Sequence, residues 1–120
     1  MKRNLLAAML VCVCCSGVLA HSALQRSEPK DGARLAQSPN EIRIWFSEPI
    51  KVALSSFAVR DRAGKQIDKG DLRADVKEPM LVHLSLPPKL GPGVYKVSWS
   101  AVAQDLHVGK GGFSFEIARQ

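Results

Sequence analysis

The chain is 120 residues long and carries 17 Lys and Arg against 11 Asp and Glu, a formal net charge of +6. That length supports one domain around one core. The basic residues stand singly along the chain instead of forming a stripe, so the charge reads as solvation of a small surface and excludes nucleic acid as a partner.

The first 20 residues separate from the rest. Lys2 and Arg3 form a short basic start, residues 5–15 (LLAAMLVCVCC) are apolar, and Val18-Leu19-Ala20 places compact residues before a cut. The apolar run is shorter than the roughly 20 residues that span a bilayer, and the chain turns polar at His21. Residues 1–20 are therefore expected to be a secretory signal peptide cleaved after Ala20, with the functional domain at 21–120. Cleavage would remove Cys12, Cys14 and Cys15, leaving 100 residues with no cysteine, Met80 as the one methionine and a net charge of +4. A disulfide framework, a thiolate nucleophile and a cysteine-based zinc or iron–sulfur site are then excluded.

Beyond His21 the periodicity is that of strands. A weak strand at 23–27 leads into the turn EPKDG (28–32). After SPN (38–40), the segment EIRIWFS (41–47) alternates with Ile42, Ile44 and Phe46 on one face. Weaker strands are expected at 57–61 and around 66–76, separated by RAGK (62–65). MLVHLSL (80–86) sets Met80, Val82, Leu84 and Leu86 on one face, so Met80 reads as core filler. PPKLGPG (87–93) is a turn; YKVSWSA (95–101) groups Tyr95, Val97 and Trp99; GKGG (109–112) reads as a further turn; FSFEI (113–117) lines up Phe113, Phe115 and Ile117. About seven short strands in one small domain predict an all-β, antiparallel sandwich of Greek-key or immunoglobulin-like type.

Few residues are equipped for chemistry. Cleavage after Ala20 would make His21 the first residue, pairing a free α-amine with an imidazole so that both close a chelate ring on one metal. His83 alternates away from its strand's apolar face and reads as a solvent-facing residue. His107 follows the strand at 95–101, and in an extended backbone Asp105 and His107, two apart, project to one point. An N-terminal His21, His107 and Asp105 together supply three nitrogens and an oxygen. That set suits one Cu(II) per chain, and the absence of soft sulfur disfavours Cu(I).

The segments HSALQRSEPKDGARL (21–35), IRIWFSEPI (42–50) and GVYKVSWSAVAQDLHVGKGGFSFEI (93–117) resemble the CopC family of small periplasmic copper-binding proteins, over essentially all of 21–120. The resemblance implies a seven-stranded, cupredoxin-like Greek-key barrel and a Cu(II) site with an N-terminal histidine brace at His21. Asp105 and His107 match the family's Asp-x-His ligands, and Glu48 matches an acidic position near the copper. Some relatives carry a methionine-rich loop for Cu(I), which is missing here. Where the family often has Asp-Gly-His-Pro, this chain has Asp105-Leu106-His107-Val108. The implied role is copper sequestration, homeostasis and resistance, or delivery to an inner-membrane transport protein of CopD type, by a monomer that is not an enzyme. Two other readings remain open at this level: a histidine-brace copper redox enzyme, and an immunoglobulin-like interaction module without a metal. Hydrolysis is disfavoured because His107 and Asp105 have no nucleophile to complete a triad.

Overall fold

A computed structural model describes residues 23–119. The described residues form eight strands: β1 (Leu24–Glu28), β2 (Arg34–Leu35), β3 (Glu41–Phe46), β4 (Ser56–Arg60), β5 (Arg73–Ala74), β6 (Leu81–Ser85), β7 (Gly93–Val102) and β8 (Val108–Ile117), with one 3₁₀ turn at Val52–Leu54. They build two four-stranded sheets, one ordered β1-β3-β6-β5 and the other β2-β8-β7-β4. The chain passes repeatedly from one sheet to the other, giving the all-β Greek-key sandwich that the alternation predicts. All pairings are antiparallel except the short β2–β8 contact. Two of the eight strands are two-residue edge pieces. The broad 66–76 segment yields only β5, and β2 was not expected.

The core lies where period-two alternation puts it. Ile42, Ile44 and Phe46 of β3, Val82 and Leu84 of β6, Tyr95, Val97 and Trp99 of β7, and Phe113, Phe115 and Ile117 of β8 are all buried between the sheets. Phe46 meets Trp99 edge-on, with ring centroids 5.7 Å apart at 88°, and Trp99 stacks near Phe57. Such edge-to-face pairs add roughly 0.5–1.5 kcal/mol to the burial itself. The exposed edge of β4 is closed by the chain that follows it: Ile67 N–H donates to Val59 O, and Val59 N–H donates to Asp68 Oδ2 at 2.9 Å.

Two expectations fail for instructive reasons. GKGG (109–112) is not a turn but part of β8, paired residue by residue with Ser98 to Ala101 of β7. A Cβ at Gly111 would sit 2.8 Å from Trp99 Cζ2, and one at Gly112 would sit 2.5 Å from Val97 O. The glycines there make room for a core indole and a close backbone instead of reversing the chain. Met80 precedes β6 and is 40% exposed, while Leu81, one residue on, is buried. The turn before β6 shifts the alternation at its first residue.

Register defines the two ends of the sandwich. Leu24 pairs with Phe46, and Trp45 with Leu81. Val102 pairs with Val108, and Ile50 bridges to Ala103. The start of β1, the 47–55 crossover, the turn from β5 to β6 and the β7–β8 loop therefore share one end; the start of β7 and β2 lie at the other.

Candidate metal site

Asp105 and His107 occupy the five-residue loop between β7 and β8. Ala103 N–H donates to His107 O and Leu106 N–H to Ala103 O, each at 2.9 Å, so the loop closes on itself. Leu106 takes φ +70°, a left-handed conformation that costs a side-chain-bearing residue about 1–2 kcal/mol. The reversal at Leu106 turns Asp105 and His107 toward each other. His107 N–H donates to Asp105 Oδ1 at 3.1 Å, and His107 Nδ1 lies 2.8 Å from Asp105 Oδ2. The two side chains do meet, but through a tight turn and not through the extended backbone that the spacing suggested.

That contact fixes the chemistry of the ring. A carboxylate accepts, so in the neutral imidazole this contact favours the tautomer with the proton on Nδ1 and the lone pair on Nε2. Orientation of a histidine by a carboxylate on its other nitrogen is a common support for metal ligation. Both side chains are well exposed. An imidazole nitrogen with a carboxylate oxygen is a donor pair suited to a divalent transition ion.

The same end of the sandwich collects the other candidates. Ala23 N–H donates to Ser47 Oγ at 3.0 Å, and Ser47 N–H donates to Ala23 O at 2.8 Å, so the first described residue is pinned beside the Phe46–Pro49 segment. Glu48, half-buried, follows Ser47 directly. Lys51 N–H donates to Val102 O, and Ser55 Oγ accepts from Val102 N–H and donates to Lys51 O, which braces this crossover against the root of the loop. Ser47 and Ser55 are positioning residues that periodicity did not single out; only their place beside the strand ends could have marked them. His21 lies outside the described residues. Among the described residues, no group of three or more His, Cys, Asp or Glu side chains is set to hold a metal.

His83 behaves differently from its expectation. It does face away from the core, yet its side chain is only 15% exposed. Its Nε2 lies 2.8 Å from Asp75 Oδ1 and its Nδ1 3.3 Å from Glu41 Oε2. Arg43 and Arg73 are its cross-strand neighbours. Arg43 pairs with Glu28, and Arg73 reaches Glu41, Asp71 and Ser85. Asp75 also accepts from the backbone N–H groups of Glu78 and Lys77. The bond from His83, reinforced by these two, lowers its carboxyl to about 2. Because the two nitrogens of His83 face carboxylates on opposite sides of the ring, they do not converge on one ion. The group ties the sheet together.

The CopC domain family matches residues 24–118. Protein YobA of Escherichia coli strain K12 is 25% identical over 115 residues, spanning 96% of this chain and 93% of YobA. Among solved structures, CopC from Methylosinus trichosporium OB3b superposes with a TM-score of 0.75 at 26% identity, covering 82% of this chain and 94% of that one. PcoC from Escherichia coli, described as a methionine-rich copper resistance protein, gives a TM-score of 0.70 at 25% identity over 82% of this chain and 99% of its own.

Proposed function

The chain belongs to the CopC family, and from that premise we propose that it is a periplasmic copper-handling protein that binds one Cu(II) as cargo. It sequesters the ion or passes it to a membrane copper transporter of CopD type. The observation that carries this reading is the Asp105–His107 pair, oriented through Nδ1 on an exposed loop at the end where the chain start is pinned by Ser47. His21 would complete the ligand set. It stands two residues before Ala23, a span of at most about 7 Å, and cleavage after Ala20 would give it the free amine of a brace. Glu48 belongs to the surroundings of the ion. Residues 21–120 hold a single methionine, Met80, which supports Cu(II) over Cu(I). The relative PcoC, described as methionine rich, differs in this respect.

The test compares the processed chain beginning at His21 with a form carrying one extra Met before it. The extension turns the α-amine, whose reference pKa is about 7.7–8.0, into an amide that donates poorly to a metal. Cu(II) titration and the electron paramagnetic resonance spectrum should differ between the two, with affinity lower by orders of magnitude in the extended form and the fold unchanged. In the processed form, binding should weaken as pH falls, because copper must displace the amine proton. Equal affinity and spectrum in both forms would remove the brace.

A further inference from the structure

The outer edge of β8 is served over only part of its length. Arg34 and Leu35 of β2 pair with Glu116 and Ile117. Glu116 N–H donates to Ala33 O at 2.8 Å, Gly32 N–H donates to Ser114 O at 2.7 Å, and Ser114 N–H donates to Asp31 Oδ1 at 3.2 Å. The even-numbered residues of β8 thus turn their backbone groups away from β7, and the register to β7 is unbroken. Beyond Ser114 the same alternation sets the N–H and C=O of Gly112, Lys110 and Val108 along this edge, where no described residue bonds to them. All three residues are exposed. A further donor beside them is unmet. Trp99 is 7% exposed, and its Nε1–H has no acceptor among the described residues, whereas the Trp45 indole donates to Glu78. A Cβ on Gly111 would sit 3.1 Å from Trp99 Nε1, so this buried N–H lies against the inner side of the open stretch. Buried donors in folded proteins are nearly always met.

We propose that Val108–Gly112 is a docking edge for an extended, acidic segment of a partner protein, which joins the sheet as a strand beside β8. Backbone alternation selects a polypeptide. Three N–H and three C=O groups at strand spacing are matched together by another extended backbone, whereas a bound anion would meet only the donors. Charge selects an acidic one. Lys110 projects from the edge, Lys96 stands across from Ser114, and neither is ion-paired among the described residues. The acids on this side are engaged, Glu116 by Arg34 and Asp31 by Ser114 N–H. Gly112, without a side chain, leaves a shallow depression lined by Lys96, Ser98, Ser114 and Asp31. In the added strand, side chains opposite Lys110 and Gly112 fall on this cationic face. The one opposite Gly111 falls on the inner face, where a hydroxyl or carboxylate oxygen accepts from Trp99 Nε1. A second copy of the chain fits less well, because an antiparallel pairing of two such edges centred on Lys110 sets the two lysines opposite each other.

This inference goes beyond the copper reading and does not rest on it, so its test uses the metal-free processed chain. The probe is a short peptide alternating Glu and Thr, with the Lys and Thr counterpart as control. In an NMR titration the Glu peptide should shift the Trp99 indole N–H and slow exchange of the Lys110 and Gly112 amides; the Lys peptide should do neither. Lys110→Gln removes the charge but keeps the N–H and should weaken binding about threefold. Lys110→Pro removes the same charge together with the open N–H and should weaken it by about a further tenfold. Circular dichroism checks both folds, and if the proline variant does not fold, Lys110→Glu, expected to bind more weakly than Lys110→Gln, takes its place. The proposal is overturned if the Lys peptide binds as tightly as the Glu peptide, or if the Trp99 and Lys110 signals stay unmoved. It is equally overturned if folded Lys110→Pro, or Lys110→Glu in its place, binds as well as Lys110→Gln, or if a dimer of the chain protects the edge amides without peptide.

Discussion

Two histidines of this protein each rest against a carboxylate at 2.8 Å, and they are prepared for opposite tasks. His83 is covered, with Asp75 at one ring nitrogen and Glu41 at the other. His107 is exposed, on a short loop, and meets Asp105 through Nδ1. The distance between imidazole and carboxylate does not separate a structural tie from a proposed metal ligand. What separates them is how far the ring is covered, 15% exposed for His83 against 60% for His107, and whether the carboxylate comes from the same loop or from distant segments.

Exchanging the losses is the sharpest way to break that comparison. His107→Ala should weaken Cu(II) binding by more than about a hundredfold, and His83→Ala should leave it unchanged, both read by competition titration. Equal losses would erase the distinction. Asp105→Asn should fall between them, since the charge goes but an oxygen remains for both the ring and the ion.

Stability should show the reverse order. Replacing His83 by Ala removes one partner from each of Asp75 and Glu41 and should lower the midpoint of denaturant unfolding. For His107→Ala, on an exposed loop, the change should stay within about 0.5 kcal/mol.

Acid offers a smaller and more local test. The carboxyl of Asp75 is depressed from its ordinary 3.8 to about 2 in the folded state. Its contribution is therefore complete above the unfolded value and is lost as pH falls through about 2. Amide exchange at Lys77 and Glu78, whose N–H groups bond to Asp75 Oδ2, should quicken over that interval in the native protein. In His83→Ala the onset should move to higher pH, because the bond that contributes most to the depression is gone. An onset unchanged by that substitution would mean that the ring does not hold the turn.

The smallest effect is expected at Leu106. Glycine there relieves a left-handed strain of about 1–2 kcal/mol but gives back about 0.5–1 kcal/mol in chain entropy, so Leu106→Gly should raise stability by roughly 0.5 kcal/mol. Calorimetry of the metal-free protein would measure it. A loss of stability would show that the Leu106 side chain makes a contact worth more than its strain.

Much of this molecule is determined by local sequence. The alternation of Ile42, Ile44 and Phe46, or of Tyr95, Val97 and Trp99, fixes which side of each strand is buried, because successive side chains must leave a strand on opposite faces. The Asp-x-His spacing likewise keeps Asp105 and His107 close in the chain, while the reversal at Leu106 turns their side chains together. Tertiary structure decided what depends on neighbours remote in sequence. GKGG is a strand because Trp99 and the Val97 carbonyl come from β7. His83 is clamped because Glu41 and Asp75 arrive from β3 and the turn beyond β5. The exposed apolar residues Leu24, Leu54, Val76, Met80, Leu106 and Val108 share one end because strand register stacks three separate turns and the start of β1 there. Period and spacing are properties of a few consecutive residues, whereas the occupancy of a ring's two sides, or of a glycine's missing side chain, is set by segments that only the folded sandwich brings together.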